Sequence, residues 1–193
     1  DAVRRAFKED MNTNPLRQAL KYEGDTMGHC VGRYCDDVAS GKSRIYSLRD
    51  KKGQPHTTIE VAPKGAVFSD VVKHIGEDEA NRLLDEGVTL SEMIKNIPDF
   101  KYPQRIVQIK GKQNKAPNPE YLPYVQDFVR SGKWSDVGDL SNTGLIGIDR
   151  ESDMAAAFSK LGKEPPRYVT QDELTNLLKW NRGESPLPEG FSQ

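Results

Sequence analysis

Long apolar runs are missing from this chain: no stretch approaches the roughly 20 consecutive apolar residues of a membrane-spanning helix. Cysteine is nearly missing as well. Cys30 and Cys35 are the only two, and their spacing fits neither a zinc ribbon nor a thioredoxin-like site, with no second pair to close a metal cage. A helix over this stretch would forbid a disulfide between them on Cα distance. Two reduced thiols in a reducing compartment are therefore expected. Net charge is scarce too. The 28 basic residues against 29 acidic ones leave a formal -1, which excludes a generally basic, DNA-coating protein while leaving room for a local basic patch. Neither a dinucleotide fingerprint nor the GxxxxGK[ST] spacing of a P-loop occurs. Asp1 to Asp10 is charged throughout, unlike a signal peptide. The chain opens on Asp1 and not on methionine, so it is expected to be cut from a longer protein. The residues identify no metal ligand set, and the cofactor is unknown.

What is present is enough for one substantial core with an appendage, since 193 residues exceed the usual domain size of about 100–150 residues. Apolar positions Val3, Phe7, Leu16 and Leu20, interrupted at Asn12-Thr13-Asn14-Pro15, predict two short helical segments with a break at Pro15. Val31 to Ala39 reads as a helix closed at Gly41. The clearest signal follows. Arg44–Arg49 and His56–Val61 alternate as strands around the polar, Gly-containing loop Asp50–Pro55, a hairpin. A third strand, Arg105–Lys110, ends at Gly111. Between the second and third strands the pattern is helical, over Asp78–Glu86 and Leu90–Asn96, with a further short element at Val67–His74. Pro119–Arg130 is predicted helical, with Leu122, Val125, Phe128 and Val129 inward. Composition changes near Gly138. Beyond it stand a loop at Asp139–Gly144, a helix over Glu151–Leu161, and a capping box with Thr170 as N-cap and Glu173 at N3. The expected fold is α+β: a small, mainly antiparallel sheet flanked by helices over residues 1–137, with a helical C-terminal extension and tail over 138–193.

Chemistry concentrates in Gly28-His29-Cys30-Val31-Gly32-Arg33-Tyr34-Cys35-Asp36-Asp37, which sets an imidazole, a thiol, a phenol and two carboxylates just ahead of the strands. Read structurally, Val31, Cys35 and Val38 are the apolar stripe of a short helix and the rest its polar side. Read functionally, Cys30 lies near a helix N-terminus, where a thiol's pKa falls, and is a candidate nucleophile. An equal reading gives His29 and Tyr34 to ligand contact and leaves Cys30 as a small buried hydrophobe. Strand alternation adds a second cluster. One sheet face is apolar, with Ile106 out of pattern, while the other gathers Arg49, His56, Thr58, Glu60, Gln108 and Lys110. A solvated antiparallel face explains this blandly. Glutamate is depleted in strands, however, so Glu60 between Ile59 and Val61 asks for a partner, with Arg49 and Lys110 as candidates. From Lys101 to Pro119 the basic residues Lys101, Arg105, Lys110, Lys112 and Lys115 occur without an acid until Glu120, a pattern suited to phosphate or nucleic-acid contact.

The order Met27-Gly28-His29-Cys30-Val31-Gly32-Arg33-Tyr34, Ser40–Arg49, Thr58-Ile59-Glu60-Val61 and Val107–Asn114 resembles the PcfJ-like domain, a family of conjugative elements and bacteriophages, over about Tyr22 to Pro117. Arg167 to Gln193 resembles connecting segments of the very large polyvalent proteins of phages and plasmids. The resemblance implies a setting, not a reaction: a cytoplasmic effector entering the infected or recipient cell with the DNA, or one packaged in the virion, joined to other domains of a longer parent chain. His29, Cys30, Tyr34, Glu60, Gln108, Gly111 and Asn114 match its motif positions. Two site classes are therefore expected. His29, Cys30, Tyr34 and Glu60 form a catalytic group, and Arg49, Thr58, Gln108, Lys110, Gly111, Lys112 and Asn114 hold the ligand. The alternatives are a non-enzymatic module binding nucleic acid or a phosphorylated ligand, and a structural segment of an ejected phage protein. No membrane partner is expected.

Overall fold

A helix starts at Pro15, where the sequence predicts a break between two segments. In the computed structural model, which describes residues 14–29, 34–148, 153–164 and 166–188, helix α1 spans Pro15–Met27. A proline in the first turn costs no hydrogen bond, and the Asn14 side chain accepts from the amides of Leu16 and Arg17 at 2.9 and 3.3 Å. Gly28, at φ 69°, ends the helix in the left-handed region. Its inward stripe joins Leu20, Glu23 and Met27. The first segment expected at the N-terminus lies outside the described residues. So do residues 31–33 of the helix expected from Val31. The described part of that helix, α2, is Cys35–Ala39, with Cys35 buried against Leu20.

Strands β1 (Arg44–Arg49), β2 (Pro55–Pro63) and β3 (Gln104–Lys110) form one antiparallel sheet in that order. Ile59, Val61, Ile106 and Ile109 are the core of its apolar face, packed under Val125 and Val129 of helix α6, Leu122–Ser131. Ile106 belongs there because of a bulge: Glu60 pairs with Gln108 but Val61 with Ile106. The extra residue restores the inward direction that strict alternation denies. A second irregularity at Leu48/Arg49 corrects an expectation. His56 does not join the polar face; it stacks on Tyr121 with ring centroids 4.2 Å apart and lies 3.3 Å from the Asp50 carboxylate.

The excursion between β2 and β3 is three helices, α3 (Phe68–Ile75), α4 (Glu77–Asp85) and α5 (Leu90–Asn96). They bury Val71, Ala80 and Met93 in a cluster of their own. The outer edge of β3 is covered by the chain after α6. Ile106 donates its amide to the Asp136 carbonyl, Gly138 donates to the Ile106 carbonyl, and Ile106 pairs with Val137 in a parallel bridge. Beyond that, β4 (Leu145–Gly147) and β5 (Tyr168–Thr170) form a small antiparallel sheet. This pairing was not expected. Helices α7 (Asp153–Lys160) and α8 (Gln171–Asn181) flank it, and the Thr170–Glu173 capping box opens α8 as read from the sequence. Leu145 and Tyr168 pack into the same core as the three-stranded sheet. The fold is α+β, with eight α-helices among the described residues. No helix among them is long and apolar enough to cross a membrane.

Candidate functional site

Pairing places Ser47 opposite Thr58, Thr58 opposite Lys110, and Glu60 opposite Ile45 and Gln108. Antiparallel neighbours share a face, so these side chains stand together on the side away from α6. The C-terminal end of α1 covers them. Glu23 is buried there to 1% exposure. Its Oε2 accepts from Ser47 Oγ at 2.7 Å and from an Arg49 guanidinium nitrogen at 2.9 Å, while its Oε1 accepts from Thr58 Oγ1 at 2.5 Å. Arg49 also donates through Nε to Ser47 Oγ at 3.0 Å. The guanidinium and the two hydroxyls all donate to this one carboxylate, and the bond from Arg49 is charge-assisted. Arg49 thus neutralises Glu23, not Glu60. It also lies over the Tyr22 ring.

The Thr58 hydroxyl has one proton, and Glu23 takes it. The 3.1 Å contact between Thr58 Oγ1 and His29 Nε2 is then a bond donated by the imidazole. In the neutral ring this assignment puts the proton on Nε2, while protonation of the other ring nitrogen is favoured by the ring's hydrogen bond to its own backbone. Burial pushes the His29 pKa below its ordinary 6.5, opposed in part by the Glu23 charge and by a hydrogen bond to its own backbone. The net direction favours the neutral imidazole.

In front of this chain opens a cavity of about 80 Å³. His29 and Tyr34 line it from the covering segment, Ile45, Thr58 and Glu60 from the first two strands, and Gln108, Lys110 and Asn114 from β3 and the loop after it. Glu60 accepts from Ser43 Oγ at 2.9 Å and from Gln108 Nε2 at 2.7 Å. Its partners are neutral, contrary to the cation expected. Lys110 pairs instead with Asp139 at 2.8 Å, a residue without a sequence signal. Asp139 stands at φ 54°, and its carboxylate also accepts the Ile109 amide at 3.1 Å.

The loop after β3 is shaped by Gly111. A Cβ there would meet the Ala116 carbonyl oxygen at 2.6 Å and Pro117 Cα at 2.9 Å, so glycine is required by the close return of the chain. Gln113 and Asn114 both adopt positive φ, 58° and 59°. Three of the four non-glycine residues with positive φ among those described, Gln113, Asn114 and Asp139, flank this cavity or its Lys110, the clustering typical of shaped sites. Gln113 packs against Gly28, which locks the loop to the end of α1.

The residues expected on sequence grounds fall into three groups. His29, Tyr34, Thr58, Glu60, Gln108, Lys110 and Asn114 line the cavity together. Arg49 stands behind it through Glu23, Gly111 shapes the adjacent turn, and Lys112 is exposed and not part of its wall. Cys30 lies outside the described residues. Sequence reasoning missed Glu23, Ser43, Ser47 and Asp139. The signal for Glu23 was present: a carboxylate on the inward stripe of an amphipathic helix.

Residues 11–87 match the family model described as PcfJ-like protein. No curated protein and no solved structure matches the chain. Gln108, Lys110 and Asn114, which complete the cavity wall, come from beyond the matched segment.

Proposed function

We propose, taking the PcfJ-like segment as premise, that this chain is part of a mobile-element protein acting in the cytoplasm of the infected or recipient bacterium, and that the cavity is its working site. The site binds a small polar group and exchanges protons with it. The observation that carries this reading is the hydrogen-bonded chain Glu23–Thr58–His29, which ends at a cavity wall also bearing Glu60 and Tyr34. A neutral, half-buried imidazole fixed in one tautomer by a buried carboxylate is poised as a general base. Glu60, held by two neutral donors, serves as the second carboxylate-type group, and Gln108 and Asn114 orient the ligand. Cys30, next to His29 in the chain, is kept in the proposal as a candidate nucleophile.

A second reading, a phosphate or nucleic-acid module, is favoured by the exposed Lys112 and Lys115 of the loop after β3. Expression of the chain in a bacterial cytoplasm separates the two. Wild type is expected to impair growth, and His29→Gln or Glu60→Gln, at equal soluble levels, to abolish the effect, since a proton-transfer group contributes on the order of a hundredfold or more in rate. Loss of the effect on charge reversal at Lys112 and Lys115, with His29→Gln still active, would establish the second reading instead. Normal growth with the wild-type protein would remove the effector role.

A further inference from the structure

The charges around the cavity do not cancel. Glu23 is closed off by Arg49, and Lys110 by Asp139. His29 adds no positive charge, because burial keeps it neutral. Glu60 is 7% exposed, and its hydrogen-bond partners, Ser43 and Gln108, are both neutral. Among the described residues of the wall, the carboxylate of Glu60 is therefore the charge left without a counter-ion. A buried charge of that kind is costly, and a ligand of opposite sign relieves the cost.

We infer that the cavity receives a cationic nitrogen group, a guanidinium or primary ammonium, and that Asp139 sets this preference by neutralising Lys110. The inference rests on the reading of the cavity as a ligand site. Acceptors match such a group. Each Glu60 oxygen takes one bond from the protein and keeps a second lone pair. Gln108 gives one of its two amide N–H groups to Glu60, and its carbonyl oxygen is an acceptor. Asn114 offers another, and Ile45 gives an apolar patch for the stem of the group. Size agrees. About 80 Å³ holds about five to eight water-sized centres, room for the heavy atoms of methylguanidinium and too little for a nucleotide. A planar guanidinium is also the group whose fork of N–H donors a carboxylate receives best. Phosphate is the opposite case, repelled by Glu60 and denied Lys110 by Asp139.

The test is a titration of the whole chain with methylguanidinium chloride and, separately, with sodium phosphate at matched ionic strength. It is followed by the NMR signals of the His29 ring and the Gln108 and Asn114 side-chain amides. Methylguanidinium is expected to shift them saturably and phosphate not to. Glu60→Gln should weaken methylguanidinium about tenfold or more, as loss of a charge-assisted bond does, and Asp139→Asn should turn the preference toward phosphate. If Glu60→Gln does not fold, the Asp139→Asn arm decides. Stronger binding of phosphate to the wild type, or unchanged preference in Asp139→Asn, would overturn the inference. So would the absence of saturable shifts with either probe. That last result would leave the proton position on His29, which carries the acid–base reading, to be judged by its own measurement.

Discussion

Arg49→Ala is expected to lower the stability of the fold by about 3 kcal/mol, the lower end of what is lost when one partner of a buried ion pair is removed. The lower end applies because the Arg49 side chain is itself 37% exposed while that of Glu23 is 2% exposed. Truncation leaves the Glu23 carboxylate under α1 with only the Ser47 and Thr58 hydroxyls to answer it. The same substitution loosens the joint between α1 and the sheet, since Arg49 also ties Ser47 and lies over Tyr22. Adding Glu23→Gln to Arg49→Ala removes the stranded charge and should recover most of the loss, a coupling that a double-mutant cycle in denaturant isolates. If Arg49→Ala stayed within about 0.5 kcal/mol of wild type, the range of an ordinary surface change, the pair would have no structural weight.

Gly138→Ala is expected to cost about 3 kcal/mol or more, at or beyond the upper end of overpacking effects. A Cβ at 138 would stand 2.1 Å from the Val107 carbonyl oxygen and 2.9 Å from its carbon. These are backbone atoms at the bulge of β3, so no side-chain rotation relieves the clash. The 136–138 segment must move off the strand, with loss of the bonds between Ile106 and both Asp136 and Gly138. Asp139 follows directly, so its hold on the Ile109 amide and on Lys110 goes with it. The variant should unfold at lower temperature and, while folded, share the ligand preference of Asp139→Asn. Wild-type stability would show that the segment is not seated on β3.

Much of this architecture was legible because burial on one face imposes a period of two. Arg44–Arg49 was bounded as it stands in the structure, and the polar face was grouped from alternation alone. Alternation failed where the backbone departs from it. The bulge opposite Glu60/Val61 turns Ile106 inward, and the irregularity beside Arg49 sends His56 to Tyr121. Neither departure leaves a residue type that marks it. Strands β4 and β5 are three residues each, too short for a period to show. The ion pairs were illegible for a different reason. Lys110 meets Asp139, and Arg49 meets Glu23, across long sequence separations, so sequence could state that Glu60 needed a partner but not who was already taken. Glu23 was within reach, because its place beside Leu20 and Met27 on the inward stripe is itself the anomaly.

The claim on which the rest depends is that His29 is a neutral Nε2–H imidazole joined through Thr58 to Glu23. Nitrogen-15 NMR of the histidine rings across pH measures this directly. The expected spectrum shows the Nε2–H tautomer at neutral pH, with protonation below the ordinary 6.5 because burial depresses the pKa. Thr58→Val should perturb that tautomer. The sign of the linked stability follows: a folded-state value below the unfolded one means the unfolded chain binds the proton first. The contribution of His29 is then fully present above about 6.5 and is lost as pH falls through the folded value. A His29 that is imidazolium at neutral pH, or that carries its proton on Nδ1, would contradict the hydrogen-bonded chain and the acid–base role built on it.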